Sequence, residues 1–283
     1  MILNGDRLVV RNGWETLLRQ RGLSGLREIF ACDEGVVVRS GTGSEVRRIE
    51  WQVNGRTQVF FLKKNWLAVP AHYRSRLLRG TIFGKTRVRR EYENLLRLQE
   101  WGLTVPTPIA FGEERQRRWL VRSFLLTEGL TESIGLDVFI RDVLPTLDPR
   151  MRREQRRRLV LNLAAVTRKM HAHQFTHRDL HWRNIMLARG SVDDICVLDT
   201  PRGRRWLRAA TGRALDLAAL DAPAPTYFRR TERLRFFLAY LGHARLTPAD
   251  KRLLRLVLKL AAPQRQRQLR HVRRRPEGVI GVA

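Results

Sequence analysis

The run HRDLHWRN, residues 177–184, holds the combination of side chains in this chain that is best suited to catalysis. An aspartate beside an acceptor hydroxyl can take or orient the hydroxyl proton, and Asp179 is the candidate for that base. Asn184 follows five residues later, a spacing at which an asparagine can bind a magnesium ion beside nucleotide phosphates. The run therefore predicts phosphoryl transfer, with Asp179 as catalytic residue and Asn184 as metal ligand.

A second carboxylate is expected on the strands that follow. Two short apolar runs, Ile185–Leu187 and Ile195–Asp199, predict a pair of strands joined by a polar turn. Asp199 ends the second run fifteen residues after Asn184, about where a kinase holds the carboxylate that binds magnesium. The alternative is an aspartate that caps a turn at a strand end. We predict that Asp199 is the second metal ligand.

The context of the loop distinguishes it from a chance match. His-x-Asp-x-x-x-x-Asn is the catalytic-loop signature of kinase-fold enzymes, whereas a bare His-x-Asp also fits a helix-end histidine beside a capping aspartate. A long amphipathic helix is predicted over Arg150–Gln174, directly before the loop. His171 and His173 in that helix fit helix-end or cleft-rim positions better than metal binding. Asp216, in a later helix, either braces the backbone of the catalytic loop or places a charge at a helix N-terminus.

A hairpin with a glycine-bearing tip is predicted near the start of the chain, with GTGS at residues 41–44 between two β-like runs. Gly41 and Gly43 would let backbone N–H groups approach phosphate closely, as in the phosphate-covering loop of kinases. A plain hairpin turn explains the same residues equally well. Asn54-Gly55 then predicts a second tight turn, which leads into a third strand.

That third strand, RTQVFFLKK, ends in two lysines. Because side chains alternate along a strand, Lys63 and Lys64 face opposite ways, and Lys63 is the candidate for holding the α- and β-phosphates. A helix predicted over Val88–Trp101 supplies Glu91 to pair with and orient that lysine. Glu93 is the competing partner, and solvated surface charge is the alternative for the lysines and for both glutamates.

Composition limits the surroundings of the protein. The 283 residues include 55 lysines and arginines against 27 aspartates and glutamates, a formal net charge of +28. This excess predicts anionic partners: phospholipid headgroups, phosphorylated glycolipid or nucleic acid. Cys32 and Cys196 provide no disulfide framework, which fits a reducing cytoplasm. Without a signal-peptide pattern or an apolar run of roughly 20 residues, we expect a soluble or peripheral protein.

The chain resembles the lipopolysaccharide core kinase family, the heptose and Kdo kinases of Gram-negative bacteria, in six ordered segments: FFLKK, RREYENLLRLQEWGL, AFGE, RSFLLTE, HRDLHWRN and RTERLRFFLAYLG. The resemblance implies an α+β, bilobal, protein-kinase-like fold. The β-rich nucleotide-binding lobe would occupy residues 1–127, and the mainly helical catalytic lobe residues 128–283. ATP with magnesium is the implied donor, and lipid A-linked core oligosaccharide is the implied acceptor.

The resemblance also implies a location and a set of roles. The protein would work in the cytoplasm, peripherally at the inner-membrane face, with no nucleic-acid partner. Lys63 and Glu91 match the nucleotide pair and Asp179 the catalytic base, while Asn184 and Asp199 match the metal ligands. The basic run at residues 265–276 is either a solvated face or a contact with membrane or glycolipid.

Two departures from protein kinases keep other interpretations open. Thr200-Pro201, rather than Phe-Gly, follows Asp199, which argues against a regulated protein kinase. His181 occupies the position of the usual lysine, and its imidazole would either bind the transferring phosphate or pack the loop. The rival functions are a kinase of proteins or of another small alcohol, and a catalytically inactive kinase-fold scaffold that binds anionic membrane or nucleic acid.

Overall fold

The structure is a computed structural model that describes residues 6–67, 84–116, 119–130, 132–205 and 209–274. Contacts between Cα atoms divide the chain into two compact units. The first consists of Met1–Arg97 and Pro106–Thr131, and the second of Leu98–Val105 and Glu132–Ala283.

The units differ from the predicted lobes in two segments. Residues 128–131 group with the first unit, and the Gly129 N–H donates to the Val59 carbonyl at 2.7 Å. Residues 98–105, which were predicted in the first lobe, group with the second unit. The Gly102 carbonyl accepts a hydrogen bond from Lys169 Nζ at 2.8 Å. Contacts of this kind join residues 98–105 to the second unit, although these residues lie between two segments of the first unit in the chain.

The first unit contains a six-stranded antiparallel sheet. Its strands are β1 (Arg7–Val10), β2 (Val36–Gly41), β3 (Ser44–Val53), β4 (Arg56–Trp66), β5 (Thr107–Gln116) and β6 (Trp119–Glu128). They lie in the order β1-β5-β6-β4-β3-β2. The predicted turn between β3 and β4 is confirmed, because Asn54 and Gly55 both have left-handed backbones (φ 51° and 74°), as a type I′ hairpin turn requires.

Three helices of the described chain accompany this sheet: α1 (Glu15–Gln20), α2 (Leu26–Ala31) and α3 (Arg87–Glu100). The main core joins apolar side chains of α1 and α2 to one face of the sheet, including Phe60 and Leu62 of β4. A second cluster packs Val88 and Tyr92 of α3 against Phe111 and Leu125 of the sheet. Side chains alternate between the two faces of β4. The packing of these two clusters therefore determines the face of the sheet toward which Lys63 and Lys64 each point.

The second unit is mainly helical. Its α-helices are α4 (Leu136–Val138), α5 (Pro149–Ala172), α6 (Ala209–Asp221), α7 (Ala224–Tyr227), α8 (Arg230–Leu241) and α9 (Pro248–Arg274). A π-helical turn, Phe139–Val143, and a 3-10 turn, Leu144–Thr146, continue α4. Asp148 caps α5, because its Oδ1 accepts the backbone N–H of Arg150 and of Met151 at 3.0 Å each. The α5, α6, α8 and α9 helices share one apolar core.

Short strands carry the loops of this unit. They are β7 (Ile134–Gly135), β8 (Phe175–Thr176), β9 (Ile185–Leu187), β10 (Ile195–Val197) and β11 (Arg204–Arg205). One small sheet has the order β10-β9-β7, and the other pairs β11 with β8. The catalytic run HRDLHWRN thus lies between the α5–β8 segment and β9, as predicted.

Candidate active site

In the first unit, the candidate residues form an ion pair between β4 and α3. Lys63 Nζ lies 3.1 Å from Glu91 Oε2, and the glutamate side chain is only 9% exposed. The helix supplies Glu91 because Val88 and Tyr92, its neighbours on the buried face, pack into the small cluster beside the sheet. The predicted pairing of a strand lysine with a helix glutamate is therefore present. The role of these two residues toward a nucleotide stays a prediction.

The competing residues have other partners. Lys64 is buried, donates to the backbone carbonyls of Phe30 (3.2 Å) and Cys32, and has a pKa that burial holds below its usual value. Glu93 accepts from Arg89 Nε at 2.9 Å and also pairs with Lys85. Lys64 thus ties β4 to α2, and Glu93 belongs to a partly exposed charge network on α3.

In the second unit, the candidate residues lie on the predicted catalytic loop, residues 177–184. One oxygen of Asp179, Oδ1, lies 3.1 Å from Arg183 Nη2 and 3.4 Å from His181 Nε2. The carboxylate is partly buried, with 19% of its side chain exposed.

The predicted metal ligands are connected through the backbone. Asn184 Nδ2 donates to the Asp179 carbonyl at 2.8 Å, and the Leu198 N–H donates to the Asn184 carbonyl at 2.9 Å. The Leu198 carbonyl in turn lies 2.8 Å from His177 Nε2. Asn184 and Asp199, which directly follows Leu198, are thereby held on one hydrogen-bonded frame. An amide oxygen and a carboxylate are both hard oxygen donors, so this pair fits a magnesium ion that completes its shell with phosphate oxygens and water.

The prediction that the strand extends to Asp199 is wrong. Strand β10 ends at Val197, and Asp199 has a left-handed backbone with φ 53°. Aspartate is one of the few residues besides glycine that adopts this conformation at modest cost. Arg178, which directly precedes Asp179, also has a left-handed backbone, with φ 65°. Backbone strain of this kind, in residues directly next to or within a predicted site, is typical of functional loops.

Asp216 of α6 braces this loop. Its two carboxylate oxygens accept the backbone N–H groups of His177 and Arg178, each at 2.7 Å. The bracing interpretation is confirmed and the helix N-terminal one is wrong, because α6 begins at Ala209. His171 Nε2 lies 3.2 Å from the same carboxylate, and His171 Nδ1 lies 2.9 Å from the Tyr240 hydroxyl. Burial raises the pKa of Tyr240 to about 12, so its hydroxyl stays protonated.

The family model for the lipopolysaccharide kinase (Kdo/WaaP) family matches residues 28–240, about three quarters of the chain. The chain belongs to this family. The match covers the Lys63–Glu91 pair, the catalytic loop and the Asp216 brace. The predicted family is therefore confirmed.

Two curated relatives share about 30% sequence identity with parts of this chain. The lipopolysaccharide core heptose(I) kinase WaaP of Pseudomonas aeruginosa is 30% identical over 165 residues, which cover 54% of this chain and 58% of the relative. WaaP of Escherichia coli K12 is 31% identical over 130 residues, which cover 41% of this chain and 48% of the relative. The chain thus aligns with about half the length of these curated relatives.

A solved structure, titled WaaP in complex with acyl carrier protein, matches with a TM-score of 0.65 and 26% identity. The match covers 92% of this chain and 98% of the other. The predicted kinase-like α+β fold of this family member is confirmed.

The glycine-bearing hairpin has a structural explanation in this family member. Gly43 is left-handed (φ 74°), and a Cβ there would lie 2.5 Å from the Trp66 carbonyl oxygen at the end of β4. The Trp66 N–H donates to the Gly43 carbonyl at 2.8 Å. A phosphate contact by Gly41 or Gly43 stays a prediction, since the hairpin needs a glycine at position 43 for its own packing.

His181 is partly enclosed in the loop. Burial and the positive charge of Arg183 hold its pKa below the ordinary value, so the imidazole is neutral at neutral pH. Its Nδ1 is buried, and within the described residues it has no hydrogen-bond partner. Both predicted roles, phosphate binding and loop packing, stay predictions.

Sequence reasoning missed two residues of the loop. Trp182 anchors it, because its indole Nε1 donates to the Leu220 carbonyl at 3.0 Å. Arg183 was missed, although it lies only four residues after Asp179 and its Nη2 donates to Asp179 Oδ1 at 3.1 Å. Arg183 lies in a short 3-10 turn, Trp182–Asn184, within the loop.

Proposed function

We propose that this protein is an ATP-dependent kinase that phosphorylates a sugar hydroxyl, of heptose or Kdo, in the inner core of lipopolysaccharide. The observation that carries the proposal is that this member of the lipopolysaccharide kinase family keeps its catalytic loop on an intact frame. Asp216 holds the backbone before Asp179, and Asn184 is bonded to the Asp179 carbonyl. A chain that had become a binding scaffold would have no need to retain this frame.

Asp179 acts on the acceptor in this proposal. Its carboxylate orients the sugar hydroxyl for in-line attack on the γ-phosphorus of ATP. It takes up the hydroxyl proton as the new O–P bond forms and the bond from the γ-phosphorus to the departing ADP breaks. Arg183 donates to one carboxylate oxygen, Oδ1, so the other oxygen is the acceptor for the hydroxyl proton. Most of the rate enhancement in such a reaction comes from positioning and from electrostatic stabilisation, and no covalent phospho-enzyme is required.

Lys63 binds the phosphates of ATP, and Glu91 sets the position of its ammonium group. Asn184 and Asp199 are the residues that would hold magnesium, which neutralises charge that develops on the phosphates when it is bound. Gly41 and Gly43 are the candidates for covering the phosphates, through backbone N–H groups.

The site of action that we propose is the cytoplasmic face of the inner membrane of a Gram-negative bacterium. Within the described residues, no helix is long and apolar enough to cross a membrane. Helix α9 exposes Leu256 and Leu258, at 38% and 41%. Exposed cations surround them on the same helix: Lys251, Arg252, Arg255 and Lys259. Exposed leucines among cations suit peripheral contact with an anionic bilayer.

Vesicle sedimentation tests this contact. We expect the protein to sediment with anionic vesicles and the variant Leu256→Ser/Leu258→Ser to sediment less. Leu215→Ser, which removes an exposed leucine of α6, is the control. Equal binding by all three proteins would contradict a role for α9. The predicted role of the basic run at residues 265–276 lies largely outside the described side chains.

Acyl carrier protein is a second partner that we propose. The support is the solved neighbour, WaaP in complex with acyl carrier protein, which matches 92% of this chain. Co-elution on size exclusion with purified acyl carrier protein would support the proposal, and separate elution at micromolar concentrations would contradict it.

The kinase proposal is tested by label transfer. Purified protein is incubated with magnesium, γ-labelled ATP and lipid A-linked core oligosaccharide, and label is followed into the glycolipid. Asp179→Asn keeps the size of the side chain but removes the base, and we expect at least about a hundredfold loss of transfer. Asp193→Asn, at an exposed carboxylate paired with Arg158, is the matched control. Transfer to a protein or small alcohol in place of the glycolipid would favour the rival kinases, and no ATP binding would favour the scaffold.

A further inference from the structure

We propose that Arg178, Arg202 and Arg204 form a binding site for an anionic group of the acceptor, a carboxylate or a phosphate, beside the catalytic loop. This inference rests on the proposed function. It names the part of the protein that recognises the charge of the substrate, as distinct from the residues that act on the reacting hydroxyl and on ATP.

The pairing of two short strands places these arginines. Strand β11 runs antiparallel to β8, and Arg204 lies opposite Thr176. Thr176 is two residues before Arg178 in the chain. The backbone pairing therefore brings Arg204 to the segment from which Arg178 and Asp179 emerge.

A tight turn carries Arg202 to the same place. The Gly203 N–H donates to the Thr200 carbonyl at 3.0 Å, and a Cβ at Gly203 would lie 2.3 Å from the Phe175 ring. Such an approach is open only to glycine, so the turn is packed directly on β8. The basic segment after Asp199 is thus fixed against the strand that leads into the catalytic loop.

The backbone of the third arginine is also fixed. Arg178 is held in its left-handed conformation by the bond from its N–H to Asp216 Oδ1. A side chain that leaves a clamped backbone loses less entropy when it binds a ligand. The three residues themselves are exposed, so a ligand in solution or at a membrane surface can reach them.

The arginines are close enough to interact electrostatically. Burial and the charges of Arg204 and Arg202 hold the pKa of Arg178 below its ordinary value, and Asp216 opposes this effect. Both carboxylate oxygens of Asp216 already accept backbone N–H groups. Like charges kept together in a folded protein repel one another, and an anion shared among them relieves that repulsion.

The chemistry of guanidinium identifies the ligand class. Its planar donors bind carboxylate and phosphate oxygens in a bidentate way, and such charge-assisted bonds are the strong ones. In the proposed reaction Lys63 and the metal ligands serve the phosphates of ATP. The acceptor, an acidic glycolipid, is the anion that remains for a site next to Asp179.

Direct binding of the acceptor tests the site without depending on turnover. The variant Arg202→Gln/Arg204→Gln removes two cations of the site. The control Arg153→Gln/Arg157→Gln also removes two exposed cations that are close together in the chain. Both belong to α5. We expect the Kd for lipid A-linked core oligosaccharide to rise about tenfold or more in the first variant and to change less than about twofold in the control. The KM for ATP and the Tm of both variants should stay near the wild-type values.

Modified acceptors separate the two sources of charge. If removal of the lipid A phosphates abolishes the difference between wild type and the site variant, the ligand is a phosphate. If reduction of the sugar-acid carboxyl groups does so, the ligand is a carboxylate. The inference is overturned if the two double variants weaken binding equally, if neither does, or if the wild-type protein does not bind the acceptor. Binding that depends on the site, without any transfer of label, would overturn the proposed kinase function and leave the site standing.

Discussion

Asp216 accepts the backbone N–H of Arg178 at 2.7 Å and so fixes the residue that precedes Asp179, the proposed catalytic base. The other oxygen of the same carboxylate holds the N–H of His177. His171 and Tyr240 continue the network behind it, and Asp216 itself is buried. A helix of the second unit therefore determines the backbone path of the loop.

Asp216→Asn is expected to lower both activity and stability. An amide keeps the shape but replaces one acceptor oxygen with a donor, so one of the two backbone N–H groups loses its partner. Leaving a buried donor unsatisfied costs about 1–3 kcal/mol. We expect a lower Tm and a fall in kcat of about tenfold or more, with little change in the KM for ATP. Asp221→Asn, at the last residue of the same helix where the partly buried carboxylate pairs with Arg233, should leave kcat unchanged.

The Lys63–Glu91 pair predicts a contrast between two neighbouring glutamates. Glu91→Gln removes the charge that orients Lys63, and we expect kcat/KM for ATP to fall about tenfold to a hundredfold. Glu93→Gln removes a charge of the same helix that pairs with Lys85 and Arg89, and it should change kcat/KM by less than about twofold. Steady-state kinetics with varied ATP distinguishes them. Equal effects would mean that the Lys63 pair has no special role.

The sequence predicted local features that depend only on residues close together in the chain. Alternation along β4 separated Lys63 from Lys64, and the Asn54-Gly55 dipeptide identified its hairpin. It did not predict contacts between distant segments. The pairing of β11 with β8 and the His171–Tyr240 bond join residues far apart in the chain, and neither periodicity nor a motif encodes them.

The end of β10 shows a second limit. An apolar run followed by an aspartate predicted a strand through Asp199, yet the strand stops at Val197. The left-handed backbone of Asp199 is imposed by its surroundings, since Leu198 is hydrogen-bonded through both its N–H and its carbonyl to the catalytic loop. Residue propensities cannot reveal a conformation that tertiary bonds enforce.

A comparison of Gly43 with Gly55 measures the energetic effect of the close approach between the first hairpin and the end of β4. Both have φ 74°, but a Cβ at Gly43 meets the Trp66 carbonyl oxygen, whereas a Cβ at Gly55 has nothing within 4 Å. Gly55→Ala should cost about 1 kcal/mol of unfolding free energy, which is the cost of the left-handed backbone alone. Gly43→Ala should cost clearly more, because the hairpin must move away from β4. Urea unfolding of both variants measures the difference, and equal costs would contradict the contact.

His181 gives the loop a defined response to acid. Burial lowers its folded-state pKa below 6.5, the ordinary value that applies in the unfolded chain. As pH falls below about 6.5 the unfolded state takes up a proton before the folded state does, so stability is lost over the interval down to the lowered pKa. His181→Gln removes that proton uptake. We therefore expect its Tm to fall less than that of the wild type between neutral and mildly acidic pH.

The matched control for this titration is His173→Gln, which replaces the exposed imidazole that stacks on Trp101 at the end of α5. Kinetics add a second readout, because protonation of His181 places a charge 3.4 Å from the oxygen of Asp179 and weakens that carboxylate as a base. The acid limb of kcat should therefore shift in His181→Gln and stay in place in His173→Gln. An acid limb that is the same in all three proteins would show that His181 packs the loop without influencing the base.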